Sequence, residues 1–131
     1  MAEIRFLAIE QVLAIHEDSI RRYGGDSGLR DRGLLESALA TPQMTFGGSL
    51  LHTDLYSMAA AYLFHICSNH PFIDGNKRTA AATAAVFLEV NGYELTASEP
   101  ELVDLVLAVA QGNLQKPEIA QFFRDHSQPV V

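Results

Sequence analysis

Cysteine, basic residues and long apolar runs are all scarce in this sequence of 131 residues. A single cysteine, Cys67, excludes an internal disulfide and a multi-thiolate metal site, and it fits a reducing compartment, so we expect a cytoplasmic protein. The nine Lys and Arg residues are outnumbered by 16 Asp and Glu residues, which gives a formal charge of −7. Such a surface releases few counterions on binding a polyanion, which argues against direct binding to nucleic acid.

The apolar runs are too short to enter a membrane. The longest, at 58–64, ends at His65, whereas a membrane-spanning helix needs about 20 apolar residues. Glu3 stands where a signal peptide would carry positive charge. We therefore expect a soluble protein with no membrane partner.

The sequence does contain enough apolar residues for one compact core. Hydrophobic residues make up 48% and charged residues 19%, a composition typical of a globular domain rather than a disordered one. No internal repeat, low-complexity tract or flexible linker divides the chain. We predict one domain over residues 1–131.

Helical spacing of the apolar residues predicts an all-α bundle. Residues 54–68 are apolar on almost every face, which is typical of a helix in the middle of a bundle. Residues 79–90 form a second central helix that is rich in alanine, so that a neighbour can approach closely. Apolar spacing and capping signals predict the remaining helices, at 12–23, 31–41, 98–112 and 117–125.

Two segments are predicted to lie outside the helices. Residues 45–49 contain two adjacent glycines and are expected to form a loop or one short β-hairpin. The tail after Asp125 is predicted to be loose.

The loop between the two central helices contains the run His70-Pro71-Phe72-Ile73-Asp74-Gly75-Asn76-Lys77-Arg78. Residues 74–76 favour a turn, whose backbone N–H groups, together with the positive end of the following helix, form an anion-binding nest. Lys77 and Arg78 add two positive charges to that end, which destabilises an ordinary helix. An anion such as phosphate relieves this cost.

A carboxylate beside a phosphate site implies a cation. Asp74 repels phosphate unless a hard cation lies between them, and Mg²⁺ binds through one or two carboxylates plus phosphate oxygens. His70 can accept a proton at neutral pH, and Phe72 is the expected core anchor of the loop. Each residue taken alone also fits ordinary turn or surface chemistry. The combination predicts a site where a hydroxyl attacks a nucleotide phosphorus.

This run resembles the Fic/Doc family signature, His-x-Phe-x-(Asp/Glu)-Gly-Asn-(Gly/Lys)-Arg, and agrees with it at every defined position. Residues 22–25, 30–38 and 60–65 resemble the death-on-curing (Doc) toxin branch of that family. The resemblance covers most of the chain. It implies a small Fic-type helical bundle with the signature loop between two central helices and a flap near 45–52.

The resemblance also implies a role for each loop residue, with ATP and Mg²⁺ as cofactors. His70 would be the general base and Asp74 the Mg²⁺ ligand, and Arg78 would take part in catalysis. The residues that would bind the nucleotide phosphates are Gly75, Asn76, Lys77 and Arg78.

Two departures from the commonest Fic pattern indicate the reaction. Lys77 stands where most Fic enzymes have glycine, and Ala81 where they have a second arginine. Those enzymes transfer AMP from ATP to a protein hydroxyl, whereas the Doc branch shares both departures and transfers the γ-phosphate. The resemblance therefore implies phosphorylation of a Ser or Thr of a translation factor, elongation factor Tu, with arrest of protein synthesis. AMP transfer and a catalytically idle binding module stay open as alternatives.

The resemblance further implies a small antitoxin chain as inhibitor. Many Fic proteins carry an internal inhibitory motif, Ser/Thr-x-x-x-Glu-Gly/Asn, and no Ser or Thr in this sequence has glutamate at the required spacing. Inhibition is therefore expected from another chain.

The residues outside the loop are expected to be structural. His65 is predicted to be a core histidine, with a supporting contact to His70 as the alternative, and Cys67 to be a small buried side chain. The other three histidines are expected to be surface or structural residues: His16, His52 and His126.

Overall fold

The computed structural model describes residues 3–130, and within them the chain forms six α-helices and four short strands. The helices are α1 (Ile9–Tyr23), α2 (Arg32–Ala40), α3 (Leu55–Asn69), α4 (Asn76–Val90), α5 (Glu99–Ala110) and α6 (Lys116–Asp125). The strands are β1 (Thr45–Phe46), β2 (Ser49–Leu50), β3 (Tyr93–Leu95) and β4 (Ser127–Pro129). The predicted helical bundle is confirmed; Met1, Ala2 and Val131, at the ends of the predicted domain, lie outside the described residues.

Helix α3 is the centre of the bundle. It packs against α2, α4 and α6, and seven of its residues are completely buried: Met58, Ala59, Ala60, Ala61, Tyr62, Leu63 and Ile66. On α4, Ala80 and Ala84 are also completely buried, and these small side chains let the two central helices approach closely. The two helices predicted to be central are therefore the two on either side of the signature loop.

The segment before α1 is tied to both central helices. The Leu7 N–H donates to the Tyr62 hydroxyl oxygen at 3.0 Å, and the Arg5 N–H donates to Asn91 Oδ1 at 2.9 Å. No helix in the described part of the chain is both long and apolar enough to cross a bilayer.

Two small antiparallel sheets accompany the helices. Strands β1 and β2 form the predicted hairpin, and Phe46 at its tip is 83% exposed. Strand β4 pairs with β3, so the prediction of a loose tail after Asp125 was wrong. The Val130 N–H donates to the Gly92 carbonyl at 2.8 Å, which extends the pairing. These backbone hydrogen bonds fix the tail, although its Ser-Gln-Pro sequence carries no apolar alternation to predict a strand.

Helix α4 begins earlier than predicted. Its first residue is Asn76 rather than Thr79, with Gly75 at the N-cap in a left-handed conformation of φ 78°. Lys77 and Arg78 therefore belong to the first turn of the helix, which brings their charges to its positive end.

Candidate active site

The signature loop begins and ends with a residue in the left-handed region. His70 is the C-cap of α3 with φ 54° and ψ 52°, and it is the one non-glycine residue with positive φ among residues 3–130. For a residue with a Cβ atom this conformation costs roughly 1–2 kcal/mol. Gly75 makes the second left-handed turn at the start of α4, where glycine has no such cost.

Asn76 fixes the shape of the loop from inside. Its side chain is buried, and its Oδ1 accepts from the Phe72 N–H at 2.9 Å. Its Nδ2 donates to the Phe72 carbonyl at 2.9 Å and contacts His70 Nδ1 at 2.9 Å. Phe72 itself is almost completely buried, as expected of a core anchor. The amide can take only this orientation, because the reverse would oppose N–H to N–H and oxygen to oxygen at Phe72.

This orientation decides which nitrogen of His70 carries the proton. The Asn76 NH₂ group is a donor, so His70 Nδ1 must accept and the neutral ring carries its proton on Nε2. The lone pair of the neutral ring therefore points to Asn76. The ring can accept a proton at Nε2 only after its own proton has moved to Nδ1 and the bond from Asn76 has been released.

Asp74 is held by the backbone of two neighbouring segments. Its Oδ1 accepts from the Gly75 N–H at 2.9 Å, and its Oδ2 accepts from the Asp26 N–H at 3.3 Å. Gly25 lies against the same carboxylate: a Cβ atom there would come within 2.6 Å of Asp74 Oδ2. The loop between α1 and α2 thus lies directly against Asp74, and a side chain at position 25 would displace the carboxylate.

His16, on α1, holds the backbone of Asp74. Its Nε2 donates to the Asp74 carbonyl at 2.8 Å, and its ring stacks on Phe72 at a centroid distance of 3.8 Å. His16 is 2% exposed, so of the two expectations, surface or structural, it is a structural residue. From α1, His16 joins the core anchor of the loop to the backbone of its carboxylate residue.

The first turn of α4 has the features of an anion site. Within residues 3–130, the backbone N–H groups of Asn76, Lys77 and Arg78 donate no hydrogen bond, and Gly75 provides no side-chain cap. Lys77 and Arg78 are exposed, and neither belongs to an ion pair in this part of the chain. Unpaired donors and unpaired positive charge coincide at one helix end, which suits phosphate oxygens.

The residues present also fit a magnesium nucleotide. No group of three or more His, Cys, Asp or Glu side chains converges as a metal cage within the described residues. Asp74 is exposed, and with one backbone donor on each oxygen it keeps lone pairs free for a cation. One carboxylate, completed by water and phosphate oxygens, is a donor set that Mg²⁺ accepts.

Sequence reasoning did not assign roles to three residues that contact the loop. They are His16, Tyr23 and Arg30. The ring centroid of Tyr23 lies 4.5 Å from the guanidinium carbon of Arg78, and Arg30 donates hydrogen bonds to the end of α3. Two of the three lie in the segments 22–25 and 30–38 that resemble the Doc branch. That resemblance was the available signal, although it did not show what these side chains touch.

The hydrogen-bond partner of His65 is Lys116. His65 is partly buried, and its Nε2 is 3.1 Å from the Lys116 Nζ atom. Burial, then the positive charge of Lys116, lowers the pKa of His65 to about 4, so the neutral ring accepts a hydrogen bond from the ammonium group. The contact to His70 considered as an alternative is absent from the described hydrogen bonds, where Asn76 occupies that position.

Of the other residues considered, Cys67 is buried as predicted, and burial raises its thiol pKa. His126 is partly buried and connects Glu101 with the Phe122 carbonyl at 3.1 and 2.8 Å. His52 is also partly buried. None of the three contributes to the signature loop.

Comparison with known proteins shows which family this chain belongs to. The model of the Fic/DOC family matches residues 6–88, which include the whole signature loop. The chain is 36% identical over 121 residues to the protein kinase doc of Escherichia phage P1, covering 92% of this chain and 94% of that protein. It is 47% identical over 75 residues to the toxin Doc of Mycolicibacterium smegmatis, covering 57% and 58% of the two chains. This chain therefore belongs to the Fic/DOC family.

Proposed function

We propose that the chain is a Doc-type toxin that transfers the γ-phosphate of ATP to a Ser or Thr hydroxyl of a translation factor, with elongation factor Tu as the expected substrate. The proposal is carried by the start of α4, where Lys77 and Arg78 stand beside unpaired N–H groups and the Asp74 carboxylate. The names of two relatives, a protein kinase and a toxin, support the reaction and its effect. The reaction takes place in the cytoplasm, where ATP and translation factors meet.

Binding and charge neutralisation are the tasks of the loop. The N–H groups at the start of α4, with Lys77 and Arg78, bind phosphate oxygens and stabilise the negative charge on them. Asp74 would hold Mg²⁺, which would supply positive charge to neutralise the transferred phosphoryl group. The substrate oxygen forms a bond to the γ-phosphorus while the bond from that phosphorus to the ADP oxygen breaks.

His70 receives the proton of the attacking hydroxyl. In the structure its neutral ring has its free lone pair at Nδ1, on Asn76. Proton acceptance at Nε2 therefore requires the ring to leave Asn76 and exchange tautomers when the substrates bind. Catalytic hydrogen bonds often reach their working geometry only in the substrate complex, so this step is compatible with a general base.

Transfer of label from ATP tests the reaction. The protein is incubated with Mg²⁺, elongation factor Tu and ATP labelled at either the α- or the γ-phosphate. Label from γ alone on the translation factor supports the proposal. Label from α supports AMP transfer, which the Asp74-Gly75-Asn76 turn would serve equally well. Absence of transfer with both labels, also with whole bacterial extract as substrate, contradicts an enzymatic function and leaves a binding module.

Two histidine variants make the assay specific. His70→Ala should abolish transfer and leave the melting temperature close to that of the wild type, because the side chain is exposed. His126→Ala is the matched control, since it removes a histidine near α5 and α6. Transfer that persists in His70→Ala would overturn the general-base role.

A small antitoxin chain is the proposed inhibitor. The sequence lacks the internal inhibitory motif, and one relative is named a toxin. Expression of the wild-type chain in bacteria should arrest growth, expression of His70→Ala should not, and a cognate antitoxin should restore growth. Normal growth on wild-type expression at a confirmed protein level would contradict the toxin proposal.

A further inference from the structure

Arg30 connects the start of α2 to the end of α3 through three donors. Its Nε donates to the His70 carbonyl at 2.7 Å, and its Nη2 donates to the Asn69 carbonyl at 2.9 Å. Its backbone N–H donates to the Pro71 carbonyl at 2.8 Å. The Asn69 and His70 carbonyls lie at the negative end of α3, where a helix leaves acceptors without partners and where a cation is favourable.

The two carbonyls held by the guanidinium group flank one residue. The Asn69 carbonyl belongs to the peptide plane that determines φ of His70, and the His70 carbonyl to the plane that determines ψ. One rigid group thus fixes both planes around the Cα atom from which the imidazole extends. This is also the residue whose left-handed conformation is costly and needs support from its surroundings.

Arg30 is not engaged elsewhere. Among the described residues it belongs to none of the ion pairs, and the neighbouring Asp31 accepts from the Leu34 N–H as the N-cap of α2. Asp31 also donates its own N–H to the Pro71 carbonyl at 3.0 Å. The start of α2 is therefore a fixed base from which the guanidinium group reaches the loop.

We propose that Arg30 is a positioning residue for His70, which sets the direction of the imidazole relative to the start of α4 by holding the peptide planes on both sides of it. The effect on catalysis rests on the proposed function, whereas the effect on the ring of His70 does not. Arg30 acts through the backbone of His70 and has no contact with substrate in this role.

The variants separate bond geometry from charge. Arg30→Lys keeps a positive charge at the end of α3 but lacks the planar fork that joins two carbonyls. Arg30→Gln removes the charge. Arg32→Lys is the matched control, because Arg32 is exposed and its one ion pair among the described residues is a 3.9 Å contact with Glu36 on its own helix.

The first measurement is the NMR spectrum of the His70 ring, assigned by comparison with a His70→Asn variant. Arg30→Lys and Arg30→Gln should shift or broaden the His70 ring signals and leave the His126 signals unchanged. Arg32→Lys should leave both unchanged. His70 signals that stay at their wild-type positions in both Arg30 variants would overturn the proposal, and this readout is valid whether or not the protein transfers phosphate.

The second measurement is the kinetics of label transfer. Both Arg30 variants should lose kcat, by up to ~10²-fold as expected for a displaced catalytic group, with little change in the KM for ATP. A raised KM with unchanged kcat would instead make Arg30 a nucleotide ligand and overturn the positioning role. If the wild-type chain transfers no label, the proposed function fails while the spectra still decide the role of Arg30.

Discussion

Asn76 donates a hydrogen bond to Nδ1 of His70 over 2.9 Å, and the same amide group is held by both backbone groups of Phe72. The signature therefore contains an internal clamp, formed by Asn76, in addition to the residues that are proposed to bind a nucleotide. The tautomer of the expected base follows from the position of a core aromatic residue. The packing of the core therefore also determines the acid–base chemistry of the loop.

The first prediction concerns the proton of His70. In the ligand-free protein, neutral His70 should carry its proton on Nε2, because Nδ1 accepts from Asn76. A long-range proton–nitrogen NMR spectrum above pH 8 distinguishes the two nitrogens. A ring protonated mainly at Nδ1 would contradict the arrangement.

Asn76→Ala provides the matching perturbation. It should give a mixture of the two tautomers and lower the free energy of unfolding by about 1–3 kcal/mol, because the Phe72 groups lose their buried partner. Asn113→Ala is the control, since that side chain is exposed and, within residues 3–130, bonds only to Gln111. Equal loss of stability in the two variants would count against the clamp.

The second prediction uses the two adjacent glycines after α1. In Gly25→Ala the new methyl group meets Asp74 Oδ2 at 2.6 Å, so the carboxylate must move. Gly24→Ala also places a side chain at a positive φ, 84° against 120° at Gly25, but its methyl group meets nothing within 4 Å. Gly25→Ala should therefore raise the Mg²⁺ concentration needed for half-maximal transfer several-fold, while Gly24→Ala should not. If the two variants share one Mg²⁺ dependence, the close approach has no bearing on the metal.

Local signals in the sequence predicted most of the fold. The all-round apolar pattern of 54–68 and the alanines of 79–90 identify the two central helices, because burial on every face is a property of consecutive residues. The nine-residue signature likewise predicted the loop between them. Signals of this kind do not depend on which distant segment comes to lie alongside.

The long-range contacts that position His70 and Asp74 could not be predicted from local sequence patterns. Arg30 and His70 are 40 positions apart, and His16 and Asp74 are 58 apart, so no local pattern pairs them. The start of α4 was also placed too late, since Asn76 favours turns by propensity but lies inside the helix because Phe72 and His70 bond to its side chain. The order of the tail was also not predictable from local sequence, because the tail is held by pairing with the distant strand β3.

The third prediction concerns acid stability through His65. Burial and Lys116 lower its pKa from 6.5 to about 4, so the unfolded chain binds a proton more readily than the folded chain between those pH values. As far as His65 controls it, the free energy of unfolding should therefore be highest above pH 6.5 and should fall as the pH drops to 4. Urea denaturation at a series of pH values measures this slope.

His65→Gln isolates the contribution of that ring. Glutamine does not titrate, and its carbonyl oxygen can still accept from Lys116, so the variant should lose stability less steeply between pH 6.5 and 4. Lys116→Met should also make the slope shallower, because it removes a charge that lowers the pKa of His65. An unchanged slope in both variants would show that other groups control acid unfolding.

The last prediction concerns Lys77 and Ala81, the two positions that depart from the commonest Fic pattern. Lys77 is exposed in the first turn of α4, and Ala81 is partly exposed one helical turn later. If these residues determine which phosphate of ATP lies at the reacting position, Lys77→Gly should lower γ-phosphate transfer at least ~10-fold, which corresponds to about 1.4 kcal/mol of transition-state binding. The double variant Lys77→Gly/Ala81→Arg should then gain transfer from the α-phosphate, because the glycine opens the nest and the arginine offers a second clamp for the distal phosphates.

Lys116→Gly is the control for loss of a lysine at the first turn of a helix, and it should leave γ-transfer unchanged. Undiminished γ-transfer in Lys77→Gly would mean that Lys77 does not set the orientation of the nucleotide, and the choice between the two reactions would then have to lie elsewhere in the loop.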